Sequence, residues 1–215
     1  MVLNFEYRFD KQYRYIMNNQ RKADEREARK HLIMDSALSV FHDQGIDGTT
    51  MEQIANEAGF GTASLYYYFP KKEDVFSAIM VKGWKQLWVS CQTSIVSTSS
   101  PKEKFLSILN IIANHILNDR NVYSFLFTAP QHSINFESEP WKEYQGKLYG
   151  TLQQLLDEGM KIGEFLKVDS HLLFKAIGGS FHGILLMGEE QQSLSRQDIE
   201  DLFSRLLSTT RSPHE

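Results

Sequence analysis

The stretch from Thr49 to Asp74, TTMEQIANEAGFGTASLYYYFPKKED, most constrains the fold, because it specifies two short helices that meet at a tight turn. Thr50 can cap a helix whose third position is Gln53, and this capping-box spacing satisfies two backbone N–H groups that otherwise lack acceptors. We therefore expect the first helix to begin at Met51. It should end at Gly59, since glycine readily adopts the left-handed backbone found at helix ends.

A second helix is predicted to begin near Thr62 and to stop at the proline that follows Phe69. Leu65 and Phe69 fall on its inner face, whereas its outer face carries hydroxyls and phenols and is followed by Lys71 and Lys72. Such a face suits phosphate oxygens and base edges, and helix-turn-helix units place their second helix in the major groove. An ordinary helical hairpin with solvated tyrosines explains the same pattern, so the hairpin geometry alone leaves both interpretations open.

The chain resembles the DNA-binding domain of TetR-family transcriptional regulators over the run T-x-x-x-I-A-x-x-A-G-F-G-x-A-S-L-Y-Y-Y-F-x-x-K-E-D, read from Thr50 to Asp74. Phe41, Gly45 and Thr49 extend this resemblance to about residues 30 to 80. The resemblance implies an all-helical dimer with an N-terminal DNA-binding domain. It also implies a larger C-terminal domain that binds a small molecule or dimerises.

Two positions depart from the pattern of that family. Gly61 stands where the family often has a capping serine, and Lys71 stands where serine or asparagine usually caps the fourth helix. Glycine is a tolerable helix cap, so the first departure is mild. The second departure leaves the start of the fourth helix open.

The resemblance also implies which residues contact DNA. The expected contacts are Thr50, Thr62, Ser64, Tyr66, Tyr67 and Lys72. Of these, Thr62 and Ser64 should lie nearest the bases, and the other four should lie at phosphates. The expected partners are a palindromic operator in double-stranded DNA and a second copy of the chain, held through the last two helices.

The composition is that of a globular protein, with 215 residues of which 41% are hydrophobic and 23% are charged. No apolar run approaches the roughly 20 residues that span a bilayer, and the N-terminus is too polar for a secretory signal. We therefore expect a cytoplasmic protein. The single cysteine, Cys91, forms no intrachain disulfide, and a packed thiol is a better interpretation than a redox sensor.

The net charge of −4 disfavours a nucleic-acid partner until its distribution is considered. Residues 1 to 89 hold 12 basic and 12 acidic side chains, whereas residues 90 to 215 hold 11 basic and 15 acidic ones. Residues 8 to 30 alone carry eight Lys or Arg against four acids. A local basic surface is therefore expected in the N-terminal part.

Residues 1 to 27 are interpreted as an N-terminal arm, because the first 24 lack a clean helical or strand period. The segment is alternatively an extension of the first helix, which we expect to start near Ala28 and to stop at Gly45. A basic arm in this place can reach a neighbouring minor groove or phosphates, as homeodomain arms do. A frayed, solvated tail is the simpler alternative.

The whole pattern predicts an all-α chain with a helix-turn-helix domain over residues 28–74 and an effector-binding and dimerisation domain over residues 75–215. Predicted helices run from near Glu73 past Trp88, from Ser100 onward, over 121–128, over 141–161, from Asp169 or Ser170 to about 188, and from Ser195 onward. Segments 93–100 and 129–140 are expected to be a linker and a loop. Three glycines in the helix before the last, Gly178, Gly179 and Gly183, predict close contact with another helix.

No enzyme motif accompanies these helices. The histidines fall in no H-E-x-x-H or Cys/His zinc spacing, and no nucleophile elbow, phosphate loop or dinucleotide fingerprint occurs. We expect no catalytic residue, no cofactor and no metal site, although the pairs His115 and Asp119 or His171 and His182 have a spacing that could hold a metal. The competing function is a helical protein-interaction module that does not bind DNA.

The C-terminal part is rich in aromatic side chains, which predicts a small apolar or aromatic effector. The resemblance to TetR-family regulators implies a repressor that this effector releases, although the residues alone leave repressor and activator both open. The candidate ligand residues are Trp84, Trp88, Tyr123, Phe127, Trp141, Tyr144 and Phe181. Phe165 and Phe174 are further aromatics of this part. Most of these rings can equally be ordinary core.

Overall fold

A computed structural model describes residues 3–128, 139–186 and 196–207, and every regular element in these ranges is an α-helix. The helices are α1 (Leu3–Gly48), α2 (Met51–Glu57), α3 (Thr62–Tyr68), α4 (Lys72–Ile95), α5 (Pro101–Asn118), α6 (Arg120–Thr128), α7 (Trp141–Ile162), α8 (Ser170–Leu186) and α9 (Arg196–Leu206). The predicted all-helical class is confirmed. The loop expected over 129–140 lies outside the described residues except at its last two positions, and so does the cap expected at Ser195.

The chain divides into two compact units, Met1–Phe76 and Ser77–Glu215. The first unit contains α1, α2, α3 and the start of α4. The second unit contains the rest of α4 and the helices that follow it. The division falls inside α4 and not in a loop, so one helix belongs to both units.

Helix α1 begins at Leu3, so the alternative in which the N-terminal segment extends the first helix is confirmed, and the start expected near Ala28 is wrong. No glycine or proline precedes Gly45, so nothing in the segment opposes a helix. Residues 16–29 are all exposed, which explains why they have no apolar period. The stop at Gly45 is confirmed, since its φ of 70° interrupts the helical backbone there.

The core of the first unit is built where three short apolar stripes meet. Ile33, Ala37 and Phe41 of α1 are buried, and so are Ile54 of α2 and Leu65 of α3. Helix α2 packs against both α1 and α3. This packing fixes the angle between α2 and α3 and leaves the opposite face of α3 in solvent.

Helix α4 begins at Lys72, so its predicted acidic first turn, Glu73 and Asp74, is confirmed. Its stripe of Val75, Ile79 and Met80 is buried as expected. The helix continues to Ile95. The linker that was predicted to start at Thr93 therefore starts three residues later. Helical hydrogen bonding overrides the weak helix propensity of the serines and threonines there.

The second unit is centred on α5, which packs against α6, α7, α8 and α9. Its predicted start at Ser100 is confirmed. Ser100 and Glu103 form a reciprocal capping box, and a proline occupies the first helical position between them. Helix α7 ends at Gly163, whose φ is 82°. Asp169, and not Ser170, caps α8, because its Oδ1 accepts the N–H of Leu172 at 2.7 Å.

Candidate nucleic-acid interface and ligand cavity

The start of α2 is fixed by the predicted capping box. The Thr50 hydroxyl accepts the Gln53 N–H at 3.2 Å, and the Gln53 amide oxygen accepts the Thr50 N–H at 2.8 Å. The Gln53 side chain also donates to Gln44 Oε1 of α1 at 2.7 Å. Thr50 is exposed and is held at a defined place on the surface of the first unit.

The turn between α2 and α3 depends on Gly59, whose φ of 70° lies in the left-handed region. The Phe60 N–H then donates to Ala55 O at 2.8 Å, which closes the turn. Gly61 caps α3 without a side-chain hydrogen bond, as expected from its lack of a hydroxyl. The turn is therefore compact although the usual capping serine is missing.

The outer face of α3 is open to solvent. Tyr67 is 70% exposed and Tyr66 is 47% exposed, and Ser64 is exposed beside them, whereas Thr62 is half-buried. Leu65 forms the opposite, fully buried side of the same helix. The side chains predicted to read DNA are thus not covered by the described residues of the protein, and they remain available to a partner.

Lys72 differs from the other predicted contacts, because its ammonium group is already engaged. Its Nζ donates to the carbonyl oxygens of Ile46 at 2.7 Å, Asp47 at 3.1 Å and Thr49 at 2.8 Å. An ammonium group has three N–H donors, so these bonds occupy all of them. The positive charge stabilises carbonyls left without helical partners at the end of α1. Lys71, in contrast, is exposed.

Two arginines of α1 contact tyrosines of α3, the helix predicted to enter the major groove and called here the recognition helix. The sequence did not predict these contacts. The guanidinium carbon of Arg26 lies 5.8 Å from the ring centre of Tyr67, and Arg29 Nη1 donates to the Tyr68 hydroxyl at 3.4 Å. Tyr67 and Tyr68 themselves meet edge to face at 5.1 Å. These contacts span about 40 residues of sequence, so no local pattern predicts them.

A cavity of about 280 Å³ lies in the second unit among α5, α6, α7 and α8. Its lining residues are Phe105, Leu109, Ile112, Ile116, Phe127, Tyr149, Leu152, Phe174, Lys175, Ile177, Gly178, Gly179, Phe181, His182 and Leu186. The wall is mostly aliphatic and aromatic, and Lys175 is its one cationic side chain among the described residues. The cavity suits an apolar molecule that carries a polar or anionic end.

Of the seven candidate ligand residues, Phe127 and Phe181 line this cavity. Trp84 lies behind the wall, where its ring meets Phe127 at 5.2 Å and Tyr149 at 5.6 Å edge to face. The remaining four, Trp88, Tyr123, Trp141 and Tyr144, do not line it. The aliphatic residues of α5 that line the cavity were not among the candidates, because a stripe that faces a cavity has the same period as one that faces a packed core.

A hydrogen-bonded chain joins α4, α5 and α6 at His115. Its Nε2 lies 2.9 Å from Ser90 Oγ and its Nδ1 lies 2.9 Å from the Tyr123 hydroxyl. Burial lowers the pKa of His115 and raises the pKa of Tyr123 to about 12. Asp119 instead caps α6 by accepting the Val122 N–H at 3.2 Å. In the described ranges no three potential ligands converge on a metal position.

One face of α8 is not covered by the residues that the structure describes. A Cβ atom built on Gly178, Gly179 or Gly183 meets nothing within 4 Å, so the helix contact predicted for these glycines is absent among the described residues. Leu172 of the same helix is 66% exposed, and Leu202 of α9 is 39% exposed. An apolar and glycine-rich surface therefore lies on α8 and α9.

Cys91 is fully buried, as predicted for a packed thiol, and burial raises its pKa to about 12. Across the ranges that the structure covers, no helix combines the length and apolar character needed to cross a membrane.

Residues 33–79 match the family model of bacterial regulatory proteins of the tetR family. This segment belongs to the TetR family. It extends from the core-forming part of α1 through α2 and α3 into α4, so it includes all six predicted DNA contacts.

The similarity of this chain to known regulators extends beyond the matched segment. It is 26% identical over 139 residues to the probable HTH-type transcriptional regulator YttP of Bacillus subtilis, covering 64% of this chain and 67% of YttP. It is 26% identical over 129 residues to the biofilm operon icaADBC HTH-type negative transcriptional regulator IcaR of Staphylococcus aureus, covering 59% of this chain and 62% of IcaR. These alignments span about two thirds of each relative.

The fold matches solved structures over most of its length. The crystal structure of AibR in complex with isovaleryl coenzyme A and operator DNA superimposes with a TM-score of 0.69. The match covers 84% of this chain and 98% of AibR at 19% identity. At this identity the likeness establishes the fold alone.

Proposed function

We propose that this protein is a sequence-specific DNA-binding repressor that acts as a homodimer and is released by a small apolar or aromatic effector. The observation that carries the proposal is the outer face of α3, where Ser64, Tyr66 and Tyr67 are exposed on a helix whose other side is anchored in the core. A rigidly held polar helix of this kind reads base edges in the major groove. The surface favours this function over a protein-interaction module, because its groups are hydroxyls and phenols and not an apolar patch.

Within this proposal the six predicted residues take different roles. Thr62 and Ser64 face the bases, while Thr50, Tyr66 and Tyr67 bind phosphates and set the orientation of α3. Lys72 acts in a different manner from the others, since its ammonium holds the segment from Ile46 to Thr49. Its contribution to DNA binding is therefore to position Thr50 and α2.

The exposed face of α8 and α9 supports a homodimer. Nothing approaches a Cβ atom built on Gly183 within 4 Å, which leaves room for the backbone of a second helix, and Leu172 and Leu202 are exposed apolar side chains of α8 and α9. A twofold pair places its two recognition helices in successive major grooves, about 34 to 36 Å apart when they are one turn apart. The operator should therefore be palindromic.

The cavity among α5 to α8 supports release by an effector. Its lining is apolar, and Lys175 and His182 of α8 supply polar groups for one end of a ligand. AibR, which shares the fold, was crystallised with isovaleryl coenzyme A, and IcaR is named a negative regulator. The effector releases the operator by binding one arrangement of the dimer more tightly than the other, because equal affinity for both shifts no equilibrium.

Selection of duplexes from a library with a randomised centre tests the proposal, followed by affinity measurements on the selected duplex. We expect palindromic sequences and an affinity that falls steeply with salt, since each neutralised phosphate contributes a slope of about −0.9. Tyr67→Ala should weaken binding about tenfold, and Ser64→Ala should change the preferred bases. Small apolar acids can then be screened for release of the duplex.

Ser99→Ala is the matched control, because Ser99 is an exposed serine between α4 and α5, far in sequence from the recognition helix. It should leave affinity and preference unchanged. Weak binding that does not respond to salt, or Tyr67→Ala with undiminished affinity, would overturn the proposal and favour the protein-interaction module.

A further inference from the structure

The N-terminal half of α1 is a helix whose described side chains do not contribute to the core. The buried residues of α1 begin at Ile33, whereas residues 16–29 are exposed. Packing against the body of the protein therefore does not explain this stretch of helix. Its side chains are available to a partner.

The charges on this stretch are segregated by helical position. Lys22, Arg26 and Arg29 recur at i, i+4 and i+7 and so share one face, which we call the basic face. In the sequence, Arg8 and Lys11 continue the same spacing toward the N-terminus. One acidic residue, Glu25, lies at the edge of this face, one turn before Arg29, and it acts on Arg29 electrostatically.

The neighbouring acids are paired with groups on other faces of the helix. Arg21 binds Glu25 with 3.4 Å between Nε and Oε1, and Lys30 binds Glu27 with 3.2 Å between Nζ and Oε1. Within the described part of the chain, Lys22 and Arg26 form no ion pair. The positive charge of the basic face is therefore left for a partner outside the chain.

The basic face begins beside the recognition helix. Arg26 lies over the ring of Tyr67 at 5.8 Å, and Arg29 donates to the Tyr68 hydroxyl. The side chain of Tyr67 is itself 70% exposed on α3. The cationic surface is thus continuous with the surface assigned to DNA.

We propose that the basic face of α1 binds the phosphates of duplex DNA that flanks the half-site read by α3. The inference rests on the proposed function, because it extends the same DNA surface. From Arg29 to Lys22 the helix rises about 10.5 Å, at 1.5 Å per residue. This length corresponds to about three base pairs of flanking duplex at 3.4 Å each.

The test compares two duplexes that share the selected operator, one trimmed to its core and one extended by about ten base pairs on each side. The wild-type chain should bind the extended duplex about tenfold more tightly at low salt. Lys22→Gln with Arg26→Gln should reduce the affinity for the extended duplex to that for the trimmed one. The salt slope on the extended duplex should become shallower by about 1.8 for each protomer, at about 0.9 for each lost contact.

Arg21→Gln is the matched control, because it removes the same charge from a different face of the same helix, and it should leave both affinities nearly unchanged. Lys22→Gln alone separates DNA contact from support of the recognition helix, since Arg26 touches Tyr67 and Lys22 has no described contact with α3. Circular dichroism should show unchanged helix content in every variant.

The outcomes distinguish the two proposals. If the wild-type chain selects no duplex, the proposed function fails. If it selects a duplex but binds the trimmed and extended forms equally, the inference about the basic face fails while the function stands. The inference also fails if Arg26→Gln weakens both duplexes equally and Lys22→Gln weakens neither, because the basic face would then act only through Tyr67.

Discussion

At the scale of single residues, Lys72 shows how a side chain that resembles a DNA ligand serves the fold of the DNA-binding unit. Its three carbonyl partners belong to the segment that joins α1 to α2. Backbone carbonyls at a helix end lack partners within the helix, and a lysine stem can bring a charge to them while covering apolar surface. The position therefore requires both the length and the charge of lysine.

Lys72→Met should lower the free energy of unfolding by about 1–3 kcal/mol, because it keeps the stem and leaves three carbonyls without their charged donor. Urea denaturation measures this loss. The exposed neighbour in Lys71→Met should change stability by no more than about 0.5 kcal/mol. Unchanged stability for Lys72→Met, together with a shallower salt dependence of DNA binding, would instead identify Lys72 as a phosphate ligand.

At the scale of elements, α7 contains glycines with opposite environments. A Cβ atom on Gly159 would lie 2.4 Å from Cδ2 of the buried Phe165 ring, whereas a Cβ atom on Gly150 would meet nothing within 4 Å. The first glycine is needed for the close approach of Phe165. The second is only a weak point in a helix.

Gly159→Ala should destabilise the protein by about 1–3 kcal/mol through overpacking against a rigid ring. Gly150→Ala, the matched control in the same helix, should stabilise it by about 0.5–1 kcal/mol, because alanine loses less backbone entropy. Urea denaturation of both variants checks the two signs. Equal effects of the two substitutions would show that Phe165 moves aside without cost.

The same elements show which features a sequence can predict. The starts of α2 and α5 were predictable because a capping box is written within four consecutive residues, Thr50 to Gln53 and Ser100 to Glu103. The start of α1 was left open, because the exposed residues 16–29 carry no apolar period that would mark a helix. Contacts such as Arg26 with Tyr67 depend on how helices meet, and no local pattern encodes that.

The cavity illustrates the same limit for the candidate ligand site. Two of its aromatic lining residues, Phe127 and Phe181, were among the predicted ligand residues. Its aliphatic lining residues from α5 were not. A leucine that faces an empty volume and one that faces a neighbour have identical spacing in sequence. The three-dimensional arrangement of four helices is needed to tell them apart.

At the scale of the whole molecule, α8 and α9 carry a surface that the described residues do not cover. We propose that a second copy, related by a twofold axis, packs against the exposed leucines of both helices. Dimerisation would make DNA binding depend on both half-sites of the operator.

Leu172→Lys with Leu202→Lys should produce a monomer, because it would bring charges together across the twofold axis in an apolar interface. Light scattering measures the mass, and the operator affinity should fall by more than about 100-fold, since one half-site is then bound alone. Leu117→Lys, at a leucine on α5 that is 50% exposed, is the matched control and should stay dimeric. A double variant that remains dimeric would place the interface elsewhere.

The backbone of α1 is helical from Leu3 to the kink at Gly45, so the direction in which a side chain leaves the helix depends on its position along it. Each residue turns the helix by about 100°, so one alanine inserted between Ala23 and Asp24 would rotate Lys22 away from Arg26 without altering any charge. Contact with the flanking phosphates would then depend on helical phase and not on the number of basic residues. Two homologues with equal numbers of arginines could therefore differ widely in the length of DNA that they protect.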